Sequence, residues 1–160
     1  PVQQKPMELT GLMSWVDGAS AVSVLWDMLE HELSNLARDV EPEVFYGVRW
    51  YPRPRRGDGC FYLAGFADSD PNPRGTDRQS FHPGLVTKTF PELFCARFVH
   101  RGTRSQLALT RGYIHHTWFP HASSDAAFPL EIERWSNDGR PPRDSSPTCD
   151  ILVPITTTGI

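Results

Sequence analysis

Glu131, Glu133 and Trp135 fall at alternate positions of the stretch FPLEIERW, Phe128 to Trp135. Successive side chains of a β-strand point to opposite faces. A strand here sets two carboxylates in line with an indole, and Leu130 and Ile132 on the opposite, core-type face. Two readings fit the acidic face. It is plain solvent surface, or it is the floor of a site for a flat, apolar, cationic ligand. A carboxylate removed from water needs a neutralising partner, and aromatic faces attract cations by about 0.5–2 kcal/mol per contact. Other chemistry has less support. The six histidines include His116 and His121 near one predicted helix end, but no His pair lies one helical turn apart with a third ligand to close a metal site. Cys60, Cys95 and Cys149 have no adjacent His, and no Gly-x-Ser-x-Gly occurs. Neither a metal nor a cofactor is expected.

The 160 residues fit one domain, 1–160, long enough to bury a core. Apolar content of 39%, charged content of 22% and a net charge of −3 suit a globular chain without an electrostatic footprint for nucleic acid. The basic cluster Arg53, Arg55 and Arg56 is interleaved with prolines and reads as a turn. No apolar run approaches the roughly 20 residues that span a bilayer. The N-terminus lacks the basic, apolar and small-residue progression of a signal peptide. Three cysteines, an odd number without short spacing, argue against a disulfide framework. A reducing, cytoplasmic setting is expected. Five tryptophans are many for this length and can serve a core or line a cleft.

The elements that must position these residues follow from periodicity. Met7 to Val16 is β-like. Gly18 to Arg38 carries Val22, Leu25, Trp26, Leu29, Leu33 and Leu36 at three- and four-residue steps, which predicts an amphipathic helix. Val44 to Tyr51 and Cys60 to Ala67 are predicted strands. Asp68 to Pro83 is polar and punctuated by proline, so it reads as a connection. Leu85 to Phe90 and Phe94 to His100 are predicted strands. A helix then runs from Thr103 or Ser105 to about Trp118, with Leu107, Leu109, Tyr113 and Ile114 as its apolar stripe, and Phe119-Pro120 ends it. FPLEIERW and Asp150 to Thr156 complete a second βαββ series.

The expected fold is therefore α+β. Two pseudo-symmetric βαββ repeats, about 6–67 and about 85–157 with a connection at 68–84, form an antiparallel-rich sheet with both helices on one side and a ligand cleft between the repeats. Registering Trp50 on Trp135 as equivalent repeat positions places Tyr46, Val48 and Trp50 on the same type of face as Glu131, Glu133 and Trp135. That face is expected to point away from the helices, with the groove beside it.

Six segments in order carry a resemblance: YGVRW at Tyr46 to Trp50, FYLAGF at Phe61 to Phe66, PELFCARFVHRG at Pro91 to Gly102, HTWFP at His116 to Pro120, LEIERW at Leu130 to Trp135, and ILVPI at Ile151 to Ile155. Together they resemble the GyrI-like small-molecule-binding domains, which also form effector-binding domains of AraC-type and MerR-type multidrug regulators. The family pattern has a Tyr-Gly strand, a Tyr-x-x-Gly strand, an entry strand ending in His-x-Gly, a Trp-Leu-Pro helix end, an acid two before an aromatic, and a final x-Pro-Ile strand. The resemblance implies a cleft for bulky, often cationic, aromatic compounds. It carries the family's acid onto Glu133, the following aromatic onto Trp135, the helix-end Trp onto Trp118, and the Tyr before the strand glycine onto Tyr62. Three features depart from the pattern: Trp135 stands where Tyr is frequent, Glu131 is a second acid, and the loop after Trp118 is FPHASSDAA rather than the usual segment with a Ser-Gly-Tyr.

The expected ligand-binding set is thus Glu133, Trp135, Trp118 and Tyr62, with Tyr46, Trp50, Glu131 and Trp15 around it. The expected function is binding of bulky amphipathic, cationic aromatic compounds, as a sensor or sequestering protein. Two alternatives stand beside it. One is a hydrolase of electrophilic, cyclopropane-type natural products that uses Glu133 as general acid or base. The other is a protein-interaction inhibitor. The expected partners are an amphipathic small molecule and, in a homodimer, a second copy of the chain. Direct nucleic-acid binding and membrane insertion are not expected.

Overall fold

The computed structural model describes residues 1–35, 42, 44–52, 57, 59–67, 84–136, 140–145 and 148–156. The connection at 68–83, the arginines 53, 55 and 56, and the predicted helix residues 36–38 lie outside them.

The β-branched and aromatic stretches all form strands: β2 (Met7–Val16), β3 (Val44–Trp50), β4 (Cys60–Ala67), β5 (Val86–Phe90), β6 (Leu93–Arg101), β7 (Leu130–Ser136) and β8 (Thr148–Pro154). A short polar strand, β1 (Val2–Gln4), precedes them. They build one eight-stranded sheet of order β1-β6-β8-β7-β3-β4-β2-β5, with every neighbouring pair antiparallel. Helix α1 (Ala19–Asn35) follows β2, and α2 (Leu107–Tyr113) follows β6. The two halves β2-α1-β3-β4 and β6-α2-β7-β8 are the expected βαββ units, joined where β3 pairs with β7. The lead strands are exchanged between halves. β1 pairs with β6, and β5 pairs with β2.

That exchange curls the sheet. Lys5-Pro6 and Pro91-Glu92 are the whole links from β1 to β2 and from β5 to β6, so the two sheet edges are drawn together. The inner face of the curl then closes on itself, with Leu9, Val48, Leu63, Cys95, Ile132 and Leu152 buried among strand residues alone. The other face carries the helices. α1 buries Val22, Leu25, Trp26 and Leu29 against Phe45, Tyr62, Phe66 and Trp135. Each such side chain, fully removed from water, contributes about 1.5–3 kcal/mol before the entropy of ordering is counted.

The second helix differs from the reading above in two ways. Leu107 and Ile114 are buried, but Leu109 is 74% exposed and Tyr113 53%. The buried face of this helix follows Leu107, Arg111 and Ile114, whose spacing of four and three keeps them in line. Leu109 and Tyr113, four apart, share the opposite face. Phe119-Pro120 also does not end the helix. A π-helical turn, Ile114–Trp118, leads into a final short turn, α3 (Phe119–His121), which takes Pro120 within it and ends at Ala122, whose backbone is extended.

Candidate functional site

Pairing across the seam decides which residues meet. Phe45 lies opposite Trp135, Gly47 opposite Glu133, and Arg49 opposite Glu131. Paired residues share a face, so Glu131, Glu133 and Trp135 stand with Phe45, Gly47 and Arg49 on the helix-covered side. Tyr46, Val48 and Trp50 line the inner face of the curl instead. Equating Trp50 with Trp135 is thus one residue out of register, and such a slip reverses every side chain of a strand. The open space is also on the helix side, because the inner face is filled by its own curl.

Glu133 is fully buried at the centre of a donor cluster. Arg49 reaches diagonally across the seam and donates Nε–H to Glu133 Oε1 at 3.0 Å. Tyr62 donates its hydroxyl to Glu133 Oε2 at 2.8 Å, and Trp26 donates its indole N–H to Tyr62 at 3.0 Å. Trp135 Nε1 lies 3.4 Å from the same oxygen. Burial and the adjoining Glu133 charge raise the Tyr62 hydroxyl well above its ordinary value, which keeps it a donor. Burial pulls the Arg49 guanidinium down, but Glu133 and Tyr62 outweigh it and hold its pKa above the ordinary value. The guanidinium carbon lies 4.8 Å from the centre of the Tyr62 ring, in cation–π range. Gly47 makes the cluster possible: a Cβ there would sit 2.1 Å from the Tyr62 hydroxyl and 2.7 Å from Glu133 Oε2.

Glu131 has a separate set of partners. Arg111 Nε donates to its Oε2 at 2.6 Å, and His115 Nε2 lies 2.6 Å from its Oε1. Arg111 and His115 are four apart, so both reach the same side of the helix. Burial pushes the Glu131 carboxyl up, but the His115 hydrogen bond and the Arg111 charge outweigh it and hold the pKa at about 2. Arg111 also donates to the Tyr51 hydroxyl.

Two cavities straddle the seam over these pairs. The larger, about 520 Å³, is lined by Tyr51 and Pro52 from the first half and by Arg111, Gly112, His115 and Glu131 from the second, with Ala108, His116 and Pro129. The second, about 350 Å³, lies between the start of α1 and α2, and Arg49, Cys60, Tyr51, Arg104, Arg111 and Asp17 are among its walls. Tyr51, Ala108 and Arg111 belong to both.

The expected residues therefore divide. Glu131 is a cavity wall. Glu133, Tyr62 and Trp135 form the buried layer beneath Arg49. Trp118 is half-buried edge-on to Phe98 at 5.0 Å and lines neither cavity. Trp15 packs edge-on against Phe61 at 5.1 Å, and Trp50 stacks on the same ring at 5.9 Å, on the face away from the helices. Tyr46 packs into the inner-face core. Arg49, Arg111, His115, Tyr51 and Trp26 were not anticipated. The Arg111–His115 spacing and the charged member of VFYGVRWY were the available signals. Among the described residues no cluster of His, Cys, Asp or Glu is placed to hold a metal, and no helix is long and apolar enough to cross a membrane.

The profile of the GyrI-like small molecule binding domain matches residues 3–156. Among curated proteins no sequence match is found. Several solved structures share the fold. The structure of SAV2435 bound to tetraphenylphosphonium matches with a TM-score of 0.66 at 11% identity, over 98% of this chain and 92% of that one. The EcmrR C-terminal domain matches with 0.67 at 9% identity, over 97% and 94%. The integron cassette protein VCH_CASS2 from Vibrio cholerae matches with 0.64 at 14% identity, over 97% and 94%.

Proposed function

Because the chain belongs to the GyrI-like small-molecule-binding family, we propose that it captures bulky amphipathic aromatic compounds in the seam cavity, as a sensor or sequestering protein. The observation that carries this is the 520 Å³ space walled by an aromatic ring, two prolines and a charged floor, of a size that takes drug-like ligands. SAV2435, which shares the fold, has been seen with a lipophilic aromatic cation. A cationic ligand here would draw on Glu133 or Glu131, and each is already matched by an arginine. Such a ligand has to exchange with a side chain rather than fill a vacant charge.

Hydrolysis by Glu133 is the weaker reading. The carboxylate is fully buried and both oxygens accept hydrogen bonds. It has to release Arg49 or Tyr62 before it touches substrate or water.

Isothermal titration against a panel of aromatic anions, cations and neutral compounds tests the binding reading. At least one class is expected to bind at micromolar concentration, and Ala108→Trp, which puts an indole on the wall shared by both cavities, is expected to weaken that binding at least tenfold. A panel without heat change, or binding indifferent to Ala108→Trp, counts against the seam as the site.

A further inference from the structure

We infer that Arg49 is the resident counter-ion of the site, and that by holding this place it turns the 350 Å³ seam cavity, which it lines, toward aromatic ligands bearing an acid group and away from lipophilic cations. The inference rests on the small-molecule reading above and specifies the charge of the ligand.

A carboxylate beside an aromatic ring is a cradle for a cation. In this chain Glu133 and Tyr62 form that cradle and Arg49 fills it, with Nε 3.0 Å from the carboxylate and the guanidinium 4.8 Å from the ring centre. The Arg49 side chain is 12% exposed and that of Glu133 0%, so a molecule in the adjoining cavity meets the guanidinium and not the acid. The competitor is tethered. An incoming cation must displace a group held at high effective concentration and must leave that guanidinium with another partner. The other acid offers no easier route, since Arg111 and His115 both engage Glu131.

The same wall offers donors to an anion. Arg49, Arg104 and Arg111 all line the 350 Å³ cavity. Arg104 is held there by neutral acceptors, the Pro142 carbonyl at 2.9 Å and the Ser23 hydroxyl at 3.0 Å, and no ion pair joins it to a carboxylate among the described residues. Asp17 is the acid on that wall. A planar carboxylate or sulfonate matches guanidinium donors in geometry as well as charge.

Tetraphenylborate and tetraphenylphosphonium, nearly the same shape with opposite charge, separate the possibilities. Affinities are measured by titration calorimetry at fixed ionic strength for the wild type, Arg49→Leu, and Arg49→Leu combined with Glu133→Gln. The wild type is expected to bind the borate at least tenfold tighter than the phosphonium. Arg49→Leu, which uncovers Glu133, is expected to reverse that order. If circular dichroism shows Arg49→Leu unfolded, the double variant, whose buried pair is neutral, carries the test and is expected to lose the borate preference. A wild type without preference or favouring the phosphonium, or variants that keep the wild-type ratio, overturns the role of Arg49 while leaving the cavity as a binding site. Failure of both ions to bind any folded form overturns the binding reading itself, and this inference with it.

Discussion

Arg49 and Glu133 stand 84 positions apart in the chain and meet at 3.0 Å across the β3–β7 seam. The contact is diagonal. Arg49 lies opposite Glu131 in the ladder, but its side chain crosses to Glu133, one step along the same face, while Glu131 is taken by Arg111 from the helix above. The two acids that alternate along β7 therefore belong to different networks, one within the sheet and one between sheet and helix. This arrangement ties the two halves of the fold to each other at the place where the cavities open.

Glu133→Gln keeps the shape of the side chain and removes its charge. Arg49 is then left largely buried without a counter-ion, and breaking one side of such a pair costs about 3–5 kcal/mol. The urea midpoint is expected to fall accordingly, with the slope unchanged. Adding Arg49→Leu is expected to restore part of the loss, because a neutral apolar pair leaves no stranded charge. A Glu133→Gln midpoint equal to that of the wild type would show that the pair contributes nothing.

The relay from Trp26 through Tyr62 to Glu133 predicts non-additive mutations. Tyr62→Phe strips the Trp26 indole and one carboxylate oxygen of a partner at once, at a cost of about 1–3 kcal/mol. Once Tyr62 is Phe, Trp26→Phe removes an unpaired donor and costs less than it does alone. A double-mutant cycle is expected to return a coupling of at least about 0.5 kcal/mol. Strict additivity would contradict the relay.

Gly47→Ala is expected to be more harmful than an added methyl usually is. The new Cβ meets the Tyr62 hydroxyl and Glu133 in a layer that α1 closes from above, and the tip of Tyr62 cannot move without losing Trp26 or Glu133. Overpacking of this kind costs about 1–3 kcal/mol. Gly112→Ala is the control, since a Cβ there has nothing within 4 Å. Equal melting temperatures for the two variants would mean that the cluster yields more easily than its geometry implies.

Much of this fold is legible in the chain because strand and helix patterns are strong where one face is core. The β-branched runs and the Val22–Leu25–Trp26–Leu29 stripe announce their elements. β1 is not legible: Val2–Gln4 is polar and short, and only its pairing with Cys95, Phe94 and Leu93 makes it a strand. The face of β3 is misread for a related reason. Both faces of this sheet are buried, one by helices and one by the curl, so apolarity does not say which face is which. Tyr46, Val48 and Trp50 have the residue types of a ligand wall, yet they fill the inner core. Arg49 has the type of a solvent residue, yet it is the partner of Glu133. On the second helix, hydrophobicity drew attention to Leu109 and Tyr113, while the face toward Glu131 and the cavity is carried by Arg111 and His115.

Acid is expected to weaken the protein through Glu131. Its folded pKa of about 2 lies below the ordinary 4.5, so the unfolded chain takes the proton first as pH falls. The stability it contributes is complete above about pH 4.5 and is lost as pH drops toward 2. The amount is on the order of 2 kcal/mol once solvent screening at His115, 39% exposed, is allowed for. Urea unfolding of the wild type and Glu131→Gln at pH 7 and pH 3 checks this. The gap between them is expected to shrink at the lower pH, and a gap that widens there would reverse the sign.

The proposed location of the site makes a last distinction, among aromatic residues. Tyr51 lines both cavities, whereas Trp15 and Trp50 pack on Phe61 on the other face of the sheet. Tyr51→Ala removes a wall and the hydroxyl that Arg111 reaches, and is expected to weaken binding of tetraphenylborate at least tenfold, about 1.4 kcal/mol. Trp15→Leu and Trp50→Leu are expected to leave that affinity within about twofold, although the loss of stacking lowers the melting temperature. Titration calorimetry at a temperature where all three variants are folded separates affinity from stability. Loss of binding in Trp50→Leu with retention in Tyr51→Ala would move the site from the helix-covered seam to the opposite face.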